Sequence, residues 1–168
     1  MADCWRELQQ QQNVDLKVVV ELADSGKAYD ASKTLSGLNC EIVTADRSSS
    51  EAAFSKFSPW KADVIFAGGW RSPATRLMLK LFPDIPKVFC LDMPWRWQFR
   101  CFAARFMLWR FLRRFIIAFV PGKKSRFYAR WLGFKRENVR ERLYSVDIDK
   151  LSQAADELGR QNRRGFLY

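Results

Sequence analysis

The sequence predicts an α/β protein built on a parallel sheet with helices on both faces. Three observations carry that expectation. Short runs rich in Val, Ile and Phe alternate with segments of helical pattern along residues 1–150. The runs are continuously apolar, as strands covered on both faces are. Gly, Pro and Ser fall at the junctions where a strand must turn into a helix. At 168 residues the chain is about one domain in size and can bury a core.

The elements follow in order. "DCWRELQQQQ" reads as a helix with Trp5 and Leu8 on one side. "DLKVVVEL" (15–22) and "CEIVTA" (40–45) read as buried strands. "SSSEAAFSKF" (48–57) opens with serines, a run suited to capping a helix. "ADVIFAGG" (62–69) is the clearest strand, and "SPATRLMLKLF" follows with Ser72 at the N-cap and Pro73 in the first turn. "KVFCLDM" (87–93) is a strand, and "PWRWQFRCFAARFMLWRFLRRF" (94–115) reads as one crossover helix. "FIIAFVPG" is a strand, and "KKSRFYARWLG" a helix closed by Gly133. "NVRERLYSV" is a last strand, "DKLSQAADELGR" a helix or linker, and "RRGFLY" the start of another strand. A first domain over 1–150 is expected, with 151–168 as linker and start of a second. An opening helix and a lone closing strand suggest part of a larger protein.

Composition excludes several classes. The start has no apolar core of a secretory signal. The longest apolar stretch, 101–120, is interrupted by Arg105, Arg110, Arg113 and Arg114, which disfavours a spanning helix. Cys4, Cys40, Cys90 and Cys101 are widely spaced, as reduced thiols of a cytoplasmic protein are, with no metal site expected. The chain contains no histidine, which removes Ser-His-Asp and Cys-His nucleophile pairs from within it. Charge is concentrated: residues 95–142 hold 14 Lys/Arg against Glu137 and Glu141, whereas the rest has 15 bases and 16 acids. Such a segment suits an anionic partner.

Four places can carry chemistry. Gly68 and Gly69 lie between a buried strand and a well-capped helix, with Trp70 and Arg71 beside them. Ligands of parallel α/β sheets bind at the carboxyl ends of strands, so this turn either lines a site or simply turns the chain. Asp92 ends another strand on the same edge and either binds hydroxyls or caps the next helix. Lys123 and Lys124 fall in the first turn of a helix, where an anion or solvent must offset the dipole. On a helical wheel Arg96, Arg100, Arg110 and Arg114 fall within about 80°. They face an arc that holds Trp97, Phe99, Phe102, Phe106, Leu108, Trp109 and Leu112. Arg105 sits in the apolar arc, and Met107 and Phe111 sit beside the basic stripe. That surplus suits a helix lying on an anionic membrane, with nucleic acid the lesser alternative.

The order of segments resembles the amino-terminal, acceptor-side domain of family 4 (group 1) glycosyltransferases, which have two facing Rossmann-like domains in the GT-B architecture. "ADVIFAGGWRSPATRLML", "IPKVFCLDMP", "FIIAFVPGKKSRFYARWLGF" and "LYSVDIDKLS" carry the likeness. The resemblance implies a Rossmann-like domain lacking its first strand. It places Gly68, Gly69, Trp70 and Asp92 on the acceptor side and Asp147 at a hinge. It assigns no catalytic residue. It implies transfer from a nucleotide-sugar donor to a glycan or lipid-linked acceptor in a complete enzyme, at the inner face of a membrane. Nothing in this chain matches the family's donor-binding residues, so no cofactor is expected here and the chain alone is expected to be inactive. The alternative is a non-enzymatic basic protein that binds anionic membrane or nucleic acid through 95–142.

Overall fold

A computed structural model describes residues 2–22, 35–44, 46–57, 61–94 and 99–143, apart from the side chains of 2, 3 and 99–101. Its elements are α1 (Ala2–Gln10), β1 (Val18–Leu22), β2 (Cys40–Thr44), α2 (Arg47–Phe57), β3 (Ile65–Gly68), α3 (Pro73–Leu81), β4 (Lys87–Cys90), α4 (Phe99–Met107), α5 (Trp109–Leu112), β5 (Ile117–Val120), α6 (Lys123–Trp131) and β6 (Val139–Glu141). The fold is mixed α/β, and every strand pairing described is parallel.

The strands form two sheets, one ordered β1-β2 and one ordered β3-β4-β5-β6. The usual doubly wound order runs outward in both directions from a first, central strand. Read as β2-β1 beside β3-β4-β5-β6, the observed order is that pattern with no described strand between β1 and β3. Alternation fixes which way the backbone groups point. Val18 donates to Asn39 of the β2 side (3.1 Å) and Ile65 to Pro86 of the β4 side (2.9 Å). Val19 and Phe66 therefore turn their amides the other way, toward edges at which no described strand pairs.

One apolar cluster joins the two sheets through Val43, Ala53, Phe54, Ala67, Met78, Phe89, Ala118, Val120, Tyr128 and Val139. Ala67, Phe89, Ala118 and Val139 are register partners and share one face of the larger sheet. Phe89 is its centre, with ring centroids 5.0 Å from Phe115 and 5.9 Å from Phe111. Val88, which points to the opposite face, is also buried, so β4 is covered on both sides as a parallel strand should be.

The helix ends show local sequence at work. Ser72 accepts from the Thr75 amide at 3.0 Å, and Pro73 opens α3. Gly133 has φ +109° and closes α6, with Gly133 N–H bonded to Arg130 O and Phe134 N–H to Ala129 O. Those two bonds form a Schellman motif that only glycine accommodates comfortably. At α2 the cap differs from expectation. Asp46, not the serine run, accepts from the Ser49 amide at 2.7 Å. The serines lie inside the helix, and Ser48 Oγ donates to Asp46 at 2.7 Å.

The expected single helix over 94–115 is divided. Residues 95–98 lie outside the described residues, and α4 and α5 bend at Leu108. The hydrogen-bond ladder passes through the bend, since Leu108 N–H bonds Ala104 O and Leu112 N–H bonds Leu108 O, both at 2.8 Å.

Candidate functional site

The carboxyl ends of β3 and β4 carry the predicted site residues together. β3 ends at Gly68, and Gly69 follows with φ +72°, a conformation glycine enters without strain. A side chain at Gly68 would meet Cys90 O at 3.6 Å, an ordinary contact, so only Gly69 is conformationally required. Gly68 leaves bare backbone on the open edge. Its carbonyl accepts from Thr75 Oγ1 at 2.7 Å, which ties the strand end to α3. Trp70 is half-buried, with the Arg71 guanidinium 4.6 Å from its ring centroid. Arg76 holds the turn by donating to Trp70 O at 3.3 Å.

One member was not anticipated. Glu21, near the end of β1, accepts from Ser72 Oγ at 2.6 Å and from the Ala74 amide at 3.1 Å. Its carboxylate occupies the positive end of α3, where a ligand anion would otherwise sit. Its partners are 51 and 53 residues away in sequence, so no local signal marks it. The bonds also place the carboxyl end of β1 beside that of β3.

Asp92 is exposed two residues beyond β4. Cys90, the last residue of that strand, is a free thiol pushed up to about 11, first by burial and then by the Asp92 carboxylate. It is therefore held as the neutral thiol and is a poor nucleophile at neutral pH. The edge thus offers two carboxylates, an indole and exposed backbone. The carboxylates accept hydrogen bonds from hydroxyls, and Arg71 over the Trp70 ring adds a cation to the same turn.

The remaining predicted residues do not form one surface. Lys123 and Lys124 are exposed at the start of α6, on the carboxyl edge, with no side-chain cap. Arg114 precedes β5 and lies on the amino edge. Arg105 and Arg110 are exposed along α4 and α5, and Arg105 rests 5.6 Å from the Trp131 ring centroid. Arg100 lies in α4 without a described side chain, and Arg96 and Asp147 lie outside the described residues. Among the described residues no cluster could hold a metal ion, and no helix is long and apolar enough to cross a membrane.

No family model matches the chain, and no curated protein matches it.

Proposed function

We propose that this chain is the acceptor-side, Rossmann-like part of a nucleotide-sugar-dependent glycosyltransferase, with a glycan as acceptor. The observation that supports the reading best is the chemistry of the carboxyl edge. Glu21 fills the α3 terminus, and beside it Asp92 can accept from sugar hydroxyls while Trp70 offers an apolar surface. Gly68 and Gly69 let such a ligand approach the backbone. Donor binding is left to a partner domain, since the motifs that grip a nucleotide-sugar have no counterpart in this sequence.

A panel of oligosaccharides, titrated with tryptophan fluorescence and amide chemical shifts as readouts, tests this. Binding should perturb Gly69 and Trp70, and Trp70→Ala or Asp92→Ala should weaken it at least tenfold. Incubation of the chain alone with nucleotide-sugars should give no transfer. Robust turnover, or saccharide binding indifferent to both substitutions, overturns the reading.

A second reading, a protein that lies on anionic membrane, is favoured by one observation. Phe106 is 80% and Met107 76% exposed beside Arg105 and Arg110. Large apolar side chains amid arginines are costly in water and suited to a bilayer interface. The two readings are compatible. The carboxyl edge lies about 13 Å from the amino edge across a four-residue strand, which suits a glycan extending from the bilayer better than a short lipid head.

A further inference from the structure

The amino edge of the larger sheet holds a basic pocket that the acceptor reading does not use. It has a volume of about 530 Å³ and is lined by Leu79, Lys80, Pro83, Lys87, Arg113 and Arg114. Lys87 is the first residue of β4 and is only 2% exposed. Its Nζ donates to Pro83 O at 3.0 Å and Ile85 O at 2.6 Å, which leaves one N–H. Burial lowers its pKa, countered by Asp84 and reinforced by Arg114. No ion pair among the described residues involves any of the four cations. Four gathered cations, one of them buried, form a site that an anion would relieve.

The pocket adjoins two exposed apolar residues, Trp109 and Ile116. Arg113 lies 4.6 Å from the Trp109 ring centroid, and Trp109 is itself exposed, two residues beyond Met107. Ile116, also exposed, bonds its amide to Lys87 O at 2.9 Å. A phosphate beside an apolar rim is the chemistry of a phospholipid at a bilayer surface.

We propose that the pocket between Lys80, Lys87, Arg113 and Arg114 receives the phosphate of an anionic phospholipid, while Phe106, Met107 and Trp109 enter the acyl boundary. The proposal rests on the membrane reading and assigns it a headgroup site. It orients the chain with the amino edge of the sheet on the membrane and the Gly68–Asp92 edge away from it.

Vesicle cosedimentation tests it, with phosphatidylcholine vesicles compared with vesicles that also contain phosphatidylglycerol. The anionic vesicles should capture the chain preferentially. Lys80→Gln with Arg114→Gln should weaken capture about thirtyfold, from roughly 1 kcal/mol per cation at an anionic surface. Lys123→Gln with Lys124→Gln removes the same charge from the opposite edge and should change capture less than twofold. Soluble glycerol phosphate should shift the Lys87 and Ile116 amides in the native chain and not in the pocket variant. If anionic vesicles capture no more than neutral ones, the membrane reading and the phospholipid assignment fall together. If they capture the chain but the two double variants behave alike, the pocket falls and the membrane reading stands. Glycerol phosphate binding without vesicle preference overturns the lipid assignment in favour of a soluble phosphate ester.

Discussion

Glu21 lies in "VVVEL", a run whose apolar neighbours mark it as strand and whose carboxylate carries no local meaning. Only the fold brings it to Ser72 and Ala74. Ser72 and Pro73 were legible because a cap and its helix are adjacent in sequence, whereas Glu21 answers to a helix 51 residues on. Asp46 was missed for a subtler reason: three serines follow it, each an acceptable cap, and only the backbone path selects the aspartate. Replacing Ser72 by Ala should cost about 1 kcal/mol in urea unfolding. Glu21→Ala should cost a similar amount, and the double variant less than the sum, because the two side chains share one bond. Additive losses would show that they act independently. Cys90 gives a pH signature. Its thiol is raised from 9.0 to about 11 in the folded chain. Between those values the unfolded chain loses a proton that the folded chain keeps, so this contribution is complete below pH 9.0 and lost as pH rises toward 11. Cys90→Ala should flatten the decline in urea midpoint over that window relative to the native chain.

At the scale of elements, the strands and most helices were legible from apolar runs and punctuation. The arginine-aromatic helix was legible only in part. A wheel treats 94–115 as one cylinder, yet the bend at Leu108 changes the phase between α4 and α5, and no Gly or Pro announces it. Of the three residues that resisted the wheel, two are accounted for by neighbours. Arg105 lies over Trp131, and Phe111 packs against Phe89 and Phe115 with ring centroids at 5.9 and 5.2 Å. Met107 stays exposed and Phe106 joins it, so the apolar surplus sits at the bend. Thermal or urea unfolding should separate these roles. Phe89→Ala, in the buried cluster, should cost about 3–5 kcal/mol. Phe106→Ser with Met107→Ser should change stability by less than about 0.5 kcal/mol, as exposed positions do. A large loss from the second variant would mean that those side chains are packed.

At the scale of the whole molecule, the basic segment 95–142 counts as one block in sequence but divides across the sheet. Lys123 and Lys124 open a helix that follows a strand, whereas Arg113 and Arg114 precede one, so they occupy opposite edges. A linear charge count cannot show this, because it depends on strand direction. The division into two sheets is the other global feature. Val19 and Phe66 direct their amides toward edges that no described strand pairs, and Phe66 is 60% exposed despite its place in an apolar run. Neighbouring amides differ sharply in that arrangement: Val18 and Ile65 are bonded, whereas Val19 and Phe66 face the edge. Amide hydrogen exchange at single-residue resolution should therefore show protected Val18 and Ile65 beside rapidly exchanging Val19 and Phe66. Sheet edges of this kind are also templates for association, so the contrast should shrink as chain concentration rises if copies pair through them. Uniform protection along both strands at low concentration would mean that another segment occupies the space between β1 and β3. Uniformly fast exchange would mean that the smaller sheet does not persist in solution.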